Sequence, residues 1–237
     1  MIRLDKLLKD CGIGSRKEVK EYIRKGFVTI NDTVIKNDDF KVDEEKDVIK
    51  FDGETITYEK YVYIMLNKPA GVVSATYDNK YKTVIDLIDE YKHMDLFPFG
   101  RLDKDTEGLL IISNDGKLAH DLLSPKKHVD KKYYVEVEGL VTEEDIILFK
   151  QGITYEDEIC KPATLEIIES DNVSKCYVTI SEGKYHQVKK MFESVNKQVI
   201  YLKRITFGNI SLDNNLKLGE YRKLTNEEID KLKRNDR

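Results

Sequence analysis

The spacing of apolar residues divides the chain into segments with two different periods. Leu4, Leu7 and Leu8 recur at helical spacing, whereas residues 133–138 alternate between apolar and polar side chains as a half-buried strand does. Further helices are predicted at 15–26, 83–91, 117–123, 142–151, 186–195 and 225–233. Strands are predicted at 27–30, 34–35, 48–51, 55–57, 61–66, 72–75, 109–113, 133–138, 163–168, 176–180, 199–202 and 205–212.

Strands outnumber helices in this pattern, and alternating strands occur beside continuous apolar runs such as residues 61–66. This mixture favours the α+β class, with a mixed and largely antiparallel sheet in the larger part of the chain. A length of 237 residues suits two domains. The acidic stretch 37–59 predicts their boundary, with a small N-terminal domain over residues 1–59 and a second domain over residues 60–237.

The N-terminal segment predicts two short helices with a basic surface. Ser15 and Glu18 have the spacing of a capping box, and Gly26 is a residue that tolerates the positive φ of a helix end. Basic residues outnumber acidic ones over this stretch. Such a surface can contact phosphates, but lysine and arginine also simply solvate small domains, and charge alone favours neither interpretation.

The order of residues in this segment resembles the S4-type RNA-binding domain. The resemblance rests on RLDKLLKDCGIGSRKEVKEYIRKGFVTIN, with its basic helix pair, its G-x-x-S-R at the second helix and its G-x-V-x-I-N at the hairpin. It covers roughly the first quarter of the chain and implies contact with RNA. The basic residues that it places near the RNA backbone are Arg3, Lys6, Arg16, Lys17 and Arg24.

A formal net charge of −4 argues by itself against a nucleic-acid partner, but the distribution of charge matters more than the sum. The acidic residues concentrate in 37–59, 136–145 and 156–169, apart from the basic segments. The three cysteines include no C-x-x-C pair, which predicts reduced thiols and neither a disulfide framework nor a zinc site. No window approaches the roughly 18 apolar residues of a membrane span, so the sequence predicts a soluble cytoplasmic protein.

The first candidate for chemistry is GRLDKDTEGLL, residues 100–110, a polar loop that leads into a buried strand. Loops on rigid scaffolds often carry function, and this one contains Asp103 and Asp105. Paired carboxylates can bind a metal or act as acid and base. Aspartates near glycine are also common on loop surfaces, and no nearby histidine supports a metal site. The residue types leave these interpretations open.

The second candidate is SEGKYHQVKKM, residues 181–191, which joins a predicted strand to a helix. Lys184, Lys189 and Lys190 cluster there, beside His186. The histidine is a possible base, and the lysines are possible anion ligands. A solvated helix face would have the same composition.

The third candidate is the strand KKYYVEV, which carries Tyr133 on the same face as Val135 and Val137. An aromatic residue so placed is more often part of a core than a stacking surface. The three fragments together, however, resemble the pseudouridine synthases, and more narrowly the RsuA-type branch that acts on small-subunit ribosomal RNA. GRLDKDTEGLL matches the family motif G-R-L-D-x-[DN]-[ST]-x-G-L-[LV], KKYYVEV matches K-x-Y-x-V, and SEGKYHQVKKMF matches E-G-[RK]-x-x-Q-[VI]-[RK]-[RK]-M. With the S4-type domain in front, the resemblance covers nearly the whole chain.

The resemblance implies roles for four residues. Asp103 matches the catalytic aspartate, and Tyr133 matches the tyrosine that stacks on the target uracil and acts as a base late in the reaction. Lys189 matches the cation, often arginine, that pairs with the aspartate, and Leu202 matches an apolar residue packed against the active site. The reaction breaks the uracil N1–C1′ bond and joins C5 to C1′ without redox change or group transfer, which implies no cofactor and no metal. Whether Asp103 attacks carbon or removes a ribose proton stays open.

The implied partner is ribosomal RNA or a partly assembled small ribosomal subunit, bound by a monomer. Tyr185-His186 resembles the small-subunit branch, whereas large-subunit relatives tend to carry Asn-Arg at these positions. Two alternatives stay open: a synthase of large-subunit RNA, and a non-catalytic RNA-binding assembly factor. Further basic residues expected at the RNA are Arg101, Lys104, Lys184, His186 and Lys190.

Overall fold

The computed structural model describes residues 1–124, 127, 129–155 and 158–234. The chain divides into two compact units, one of Met1–Val62 with Asp89–Leu96 and the other of Tyr63–Ile88 with Phe97–Arg237. Helices are combined with mostly antiparallel strands, which confirms the predicted α+β class. No helix within the described ranges is long and apolar enough to cross a membrane.

Two short helices form the centre of the first unit. Leu4, Leu7 and Leu8 are fully buried on the first helix and share a core with Val19 and Ile23 of the second, as their spacing predicts. The elements of this unit are β1 (Ile2–Arg3), α1 (Leu4–Asp10), α2 (Arg16–Lys25), β2 (Val28–Ile30), β3 (Thr33–Val34), β4 (Lys41–Val42), β5 (Ile49–Phe51) and β6 (Glu54–Thr55).

The start and end of α2 follow the predicted capping signals. The Ser15 hydroxyl accepts a hydrogen bond from the Glu18 backbone N–H at 3.4 Å, and the Glu18 carboxylate accepts one from the Ser15 N–H at 2.8 Å. Gly26 ends the helix with a φ of 85°, a left-handed conformation that strains residues with a Cβ. The hairpin of β2 and β3 then turns through two residues at positive φ, Asn31 and Asp32.

A mixed sheet dominates the second unit. Its elements are β7 (Tyr63–Lys68), a 3-10 turn (Ile85–Leu87), β8 (Phe97–Pro98), β9 (Glu107–Ser113), α3 (Gly116–Leu123), β10 (Lys131–Glu138), α4 (Glu143–Gln151), β11 (Thr154–Tyr155), β12 (Glu158–Ile159), β13 (Thr164–Glu169), β14 (Val173–Ile180), α5 (Gln187–Ser194), β15 (Gln198–Phe207), β16 (Ile210–Ser211), β17 (Tyr221–Lys223) and α6 (Asn226–Arg234). Among the described residues the sheet order is β13-β14-β10-β15-β9-β7-β17, with β16 beside β15 and β8 beside β9. Every pairing in this sheet is antiparallel except that of β9 with β15.

The predictions for residues 72–75 and 83–91 are wrong. The first segment makes a single β-bridge, from Val73 to Thr83, and no strand. The second contains the other half of that bridge and the 3-10 turn Ile85–Leu87, but no α-helix. Val84 and Ile88 are both buried, at helical spacing, although the backbone around them is irregular. Their spacing therefore reflects burial of a loop and not a helix.

The strands predicted at 199–202 and 205–212 are one continuous strand, Gln198–Phe207, followed by the short β16. The prediction broke at Lys203 and Arg204 because charged side chains interrupt the apolar run. Arg204 is nevertheless buried, at 2% exposure, and its Nε donates to the Leu109 carbonyl of the neighbouring strand β9. The strand therefore continues through a position that sequence alone assigns to solvent.

The strands β9 and β15 approach each other closely at Gly108. This residue pairs with Arg204 in the parallel register and has a φ of 99°. A Cβ at this position would lie 2.2 Å from the carbonyl oxygen of Arg204, and no side chain fits there. The glycine therefore allows the start of β9 to pair with β15, which in turn pairs with β10.

Candidate active site

The loop between β8 and β9 carries the candidate carboxylates, and hydrogen bonds from the preceding segment hold its backbone. The Ser74 hydroxyl donates to the Leu102 carbonyl at 2.9 Å and accepts from the Leu102 N–H at 3.0 Å. The Gly71 N–H donates to the Lys104 carbonyl at 2.8 Å. Asp103 is therefore flanked on both sides by residues whose backbone groups are anchored.

A buried ammonium group ties the same loop to β7. Lys68 is fully buried, and its Nζ donates to the carbonyl oxygens of Thr106 at 2.8 Å and Asp103 at 3.0 Å. Longer contacts reach the carbonyls of Pro69 and Lys104, at 3.2 Å and 3.3 Å. Burial lowers the pKa of Lys68 to about 8, although the neighbouring carboxylates act in the opposite direction. One side chain thus satisfies several carbonyls of the loop.

Lys189, on α5, is a cation shared by the two loop carboxylates. Its Nζ lies 2.6 Å from Asp105 Oδ1 and 3.3 Å from Asp103 Oδ2. The Nε2 atom of His186 lies 3.5 Å from the other Asp103 oxygen, Oδ1. Each oxygen of Asp103 therefore faces a nitrogen, while Asp105 accepts the shorter bond from Lys189. Within the described ranges no group of three or more His, Cys, Asp or Glu side chains is arranged to hold a metal.

The pKa values around Lys189 favour charged groups. Burial opposes the charged form of Asp105, but the hydrogen bond and the charge of Lys189 outweigh burial, so the pKa of Asp105 lies below its ordinary value. Burial also opposes the charged form of Lys189, but its bond to Asp105 and the charges of both carboxylates raise its pKa. The site therefore keeps an ammonium group beside its carboxyl groups at neutral pH.

Tyr133 and Asp103 line one small cavity of about 70 Å³, and Leu202 and Val188 supply apolar wall. Tyr133 lies on β10, 7% exposed, on the face that the alternation predicts. Three of the four residues assigned catalytic roles from the resemblance therefore border one cavity, and Lys189 reaches Asp103 from α5. The parallel pairing of β9 with β15 is what brings these segments together.

A larger cavity of about 380 Å³ also has Tyr133 in its lining. Lys131 lies there, with its Nζ donating to the Val129 carbonyl at 2.7 Å, and burial followed by the charge of Arg204 lowers the pKa of Lys131 to about 8. Arg204 donates from Nε to the Leu109 carbonyl at 2.8 Å, while its buried Nη2 has no hydrogen-bond partner among the described groups. Ligand pockets commonly measure roughly 300–1,000 Å³. This cavity is within that range, whereas the cavity of about 70 Å³ between Asp103 and Tyr133 is below it.

Most of the basic residues predicted at the RNA in this unit line one groove with Asp103. The groove, which we call the Asp103 groove, has a volume of about 710 Å³, and the predicted basic residues in its lining are Arg101, Lys104, Lys184 and His186. Lys190 does not line it, and its Nζ lies 5.3 Å from the centre of the Tyr155 ring. Lys184 also reaches across to the Glu158 carboxylate at 3.3 Å.

In the first unit, four of the five predicted basic residues surround one carboxylate. Asp5 is 7% exposed and accepts bonds from Nε and Nη2 of Arg3, both at 3.0 Å, which is the main reason that the pKa of Asp5 is lowered. The surface cavity above it measures about 570 Å³ and is lined by Asp5 and a basic cluster of Arg3, Lys6, Arg16, Lys17 and Lys20. Arg24 is not part of this cluster, because it pairs with Asp38 at 2.8 Å.

Three residues at these sites have roles that sequence reasoning missed. Lys68 lies in NKPAG, which the pattern indicates only as a turn, and Lys20 was not separated from the other basic residues of its helix. Gln187 is buried, and its side chain accepts from the Lys184 N–H at 3.0 Å and donates to the Glu182 carboxylate at 2.7 Å. The only signal for Gln187 in the sequence was its place in the family motif E-G-[RK]-x-x-Q, since its composition and spacing do not distinguish it from a surface glutamine.

A family model described as RNA pseudouridylate synthase matches residues 62–194, which is more than half of the chain, and an S4 domain model matches residues 2–49. The chain therefore belongs to the RNA pseudouridylate synthase family and carries an S4 domain at its N-terminus. The resemblance seen in the sequence is confirmed by both matches. The synthase match includes the Asp103 loop, β10 and α5, which form the cavity described above.

Two similar proteins and one solved structure align with nearly the full length of this chain. The chain is 48% identical to the uncharacterized RNA pseudouridine synthase YtzG of Bacillus subtilis, over 96% of this chain and 97% of that one. It is 41% identical to ribosomal small subunit pseudouridine synthase A of Vibrio cholerae, over 96% and 98% of the two chains. A crystal structure of a pseudouridylate synthase, 38% identical, aligns with a TM-score of 0.69 over 98% of this chain and all of that one.

Proposed function

We propose that this protein isomerises one uridine of small-subunit ribosomal RNA to pseudouridine. The observation that carries the proposal is a cavity bordered by two of the assigned groups, with the third beside one of them. The Asp103 carboxylate and the Tyr133 ring border it together, and the Lys189 ammonium lies 3.3 Å from Asp103. A carboxylate beside a cation and an aromatic ring is what the reaction requires, and Asp103, Tyr133 and Lys189 are the residues to which we assign it.

The chemistry needs a base that has left its stack and a carboxylate that is ionised. Extruding a uridine costs a few kcal/mol, and stacking on an aromatic side chain such as Tyr133 returns roughly 1–3 kcal/mol. The Lys189 ammonium faces Asp103, whose carboxylate acts on the nucleotide as nucleophile or base. The N1–C1′ bond breaks, the ring turns, and C5 joins C1′. The proton on C5 is then lost, with Tyr133 as its acceptor, and N1 gains a proton.

The S4 domain, which we assign to residues 1–59, supplies affinity for RNA ahead of a catalytic domain at residues 60–237. Its basic cluster contacts the phosphate backbone, which positions RNA without reading its sequence. Leu202 contributes an apolar wall that keeps water from the reacting base. We further propose that the protein acts as a cytoplasmic monomer on ribosomal RNA or on a partly assembled small subunit.

Two observations favour small-subunit over large-subunit RNA. The Vibrio cholerae relative, and one from Salmonella typhimurium that is also 41% identical, are named ribosomal small subunit pseudouridine synthase A. The Tyr185-His186 pair in this chain also resembles that branch. A large-subunit substrate is the alternative that mapping must test.

The test is release of tritium from ribosomal RNA labelled at uracil C5, with each subunit RNA assayed separately. The proposal predicts release from small-subunit RNA and one new pseudouridine at a single position. Release only from large-subunit RNA would reassign the substrate, and no release from either RNA or from a partly assembled subunit would refute the enzyme function.

Two carboxylate variants then test the assignment within the loop. Asp103→Asn is expected to abolish release while RNA binding, measured by fluorescence anisotropy, is retained. Asp105→Asn is the matched control, since it removes the neighbouring carboxylate and leaves Lys189 beside Asp103. We expect a partial loss of activity in that variant. Turnover by Asp103→Asn would contradict the assignment of Asp103.

A further inference from the structure

Tyr185 presents an exposed ring in the Asp103 groove. Its side chain is 71% exposed, and single exposed aromatic residues are by themselves normal on protein surfaces. This ring, however, is stacked on another one. The ring centres of Tyr185 and His186 are 3.8 Å apart, and their planes differ by 18°. One face of Tyr185 is thus covered by the imidazole, and the Lys190 Nζ lies 5.6 Å from the centre of the Tyr185 ring. Most of the side chain nevertheless remains in contact with solvent.

The backbone on both sides of Tyr185 is fixed. His186 lies just before α5 in a left-handed conformation, with φ of 52° and ψ of 29°. Such a conformation is unfavourable for a residue with a Cβ and is kept only where the surroundings hold it. On the other side, the Lys184 N–H donates to the buried Gln187 side chain at 3.0 Å. The backbone that carries the two stacked rings is therefore held in place before any ligand binds.

The stacked pair leads directly to the candidate catalytic carboxylate. His186 Nε2 lies 3.5 Å from Asp103 Oδ1, so Tyr185 is separated from Asp103 by one ring. The groove that contains Asp103 also contains the exposed ring of Tyr185, so a single-stranded segment whose target base enters the cavity at Asp103 passes this ring.

The charge of the groove indicates what binds there. Arg101, Lys104 and Lys184 line it together with Tyr185, and among the described lining residues Asp103 alone is acidic. Aromatic rings interleaved with cations are typical of surfaces that bind single-stranded nucleic acid, where bases stack and phosphates pair with lysine or arginine. An apolar peptide segment would gain nothing from these cations.

We propose that Tyr185 stacks on an unpaired base adjacent to the target uridine and so acts as a second base platform, distinct from Tyr133. The inference rests on the proposed function, because it presupposes that Asp103 receives a uridine. Tyr185 is a positioning residue: it touches a neighbouring base and not the reacting atoms. It sets which nucleotide of a single-stranded segment comes to Asp103.

Three substitutions at Tyr185 separate stacking from other roles of the side chain. Tyr185→Ala is expected to raise KM roughly 5- to 150-fold, which corresponds to the roughly 1–3 kcal/mol of one base stack, with kcat unchanged. Tyr185→Phe retains the ring and is expected to match the wild-type protein. Tyr185→Leu retains apolar area without an aromatic face and is expected to resemble the alanine variant. Because the side chain is exposed, the fold should survive, and an unchanged Tm checks this.

A double-mutant cycle identifies the base. The RNA is a fragment around the uridine that the wild-type protein modifies, or around the segment it protects from nuclease, with an abasic residue on the 5′ or the 3′ side. One of the two abasic RNAs should raise KM for the wild-type protein and have no further effect on Tyr185→Ala. Such non-additivity is the signature of a direct contact.

Two results would overturn the platform: an unchanged KM in Tyr185→Ala, or abasic effects that are equally large in wild type and variant. The cycle is also measured as dissociation constants by fluorescence anisotropy, which does not require turnover. If the proposed function is wrong but Tyr185 does stack on a base, no tritium is released while the binding cycle stays non-additive. If the function is right but Tyr185 is not a base platform, tritium is released while the effects of the abasic residue and of Tyr185→Ala are additive.

Discussion

At the scale of single residues, Lys189 connects the two carboxylates of the candidate active-site loop. Its shorter bond goes to Asp105, at 2.6 Å, and its longer one to Asp103, at 3.3 Å. Asp105 therefore helps to fix the ammonium group that faces Asp103. We propose that Asp105, which looks redundant in the sequence, is a positioning residue that acts through this shared cation.

Removal of the Lys189 charge should slow the reaction without a comparable effect on affinity. We expect Lys189→Met to lower kcat by roughly 10²–10³-fold, the range found when one preorganised electrostatic partner is lost. Lys189→Arg should keep most of the activity because the positive charge remains. Single-turnover rates and KM measured for both variants check this, and a methionine variant with near wild-type kcat would contradict the proposed role.

Lys131 gives a prediction about pH and stability. Burial lowers the pKa of Lys131 to about 8, below the ordinary value of 10.5. Between these values the unfolded chain binds more protons than the folded one, so this residue adds stability as the pH rises through the interval. The free energy of unfolding of wild type minus that of Lys131→Met should therefore increase from pH 7.5 to pH 10.5, by at most about 1.4 kcal/mol per pH unit. Urea titrations across this range measure it, and a constant difference would show that Lys131 titrates normally.

At the scale of elements, the pairing of β9 with β15 decides where the loop carboxylates lie. Gly108 permits this pairing, since a Cβ would meet the Arg204 carbonyl oxygen at 2.2 Å and its backbone nitrogen at 2.8 Å. Because β15 also pairs with β10, which carries Tyr133, the pairing of β9 with β15 places the start of β9 one strand away from Tyr133. The site thus depends on one contact between backbones that no side-chain pattern encodes.

Gly108→Ala tests the close approach, with Gly219→Ala as its matched control. Both glycines have a similar positive φ, 99° and 86°, but nothing lies within 4 Å of a Cβ built on Gly219. The control should cost roughly 1–2 kcal/mol of stability for the backbone conformation alone. Gly108→Ala should cost clearly more, roughly 3–5 kcal/mol, because strands must separate. Urea unfolding of both variants measures the difference, and equal losses would show that β9 and β15 adapt without cost.

At the scale of the whole molecule, RNA affinity and chemistry are assigned to different units. The basic cluster of Arg3, Lys6, Arg16, Lys17 and Lys20 lies in the first unit, and the Asp103 groove lies in the second. A division of this kind allows the binding energy of the first unit to change without altering groups at the reacting base. The kinetic constants should therefore separate by unit.

Lys17→Gln should weaken RNA binding and lower the slope of log affinity against log salt concentration by about 1, as expected when one phosphate contact is lost. The kcat should be unchanged because Lys17 lies outside the unit that contains the Asp103 groove. Lys46→Gln is the control, since Lys46 belongs to the same unit, has an 81% exposed side chain and does not line the basic cluster. An equal loss in both variants would indicate a general charge effect and not a contact at the cluster.

The sequence by itself determined the features that depend on residues close together along the chain, such as helix caps and the buried faces of helices and strands. Ser15 and Glu18 form the predicted capping box, Leu4 and its neighbours form the predicted buried face, and β10 buries the predicted face with Tyr133. The motif resemblance also identified the family, since its residues occur in fixed local order. These features depend on residues a few positions apart, for which spacing along the chain is sufficient information.

Tertiary structure alone decided the contacts between distant segments. Lys68 bonds to the Asp103 carbonyl from 35 positions away, and Lys189 reaches Asp105 from 84 positions away. Within the irregular segment of residues 72–88, Val84 and Ile88 are likewise buried by contacts that their helical spacing does not reveal. No periodicity records such contacts, because folding brings together residues that have no fixed relation along the chain. For this reason the sequence identified candidate catalytic groups, whereas only the fold showed their partners: the buried ammonium of Lys68 that anchors the loop backbone and the Lys189 ammonium beside the carboxylates.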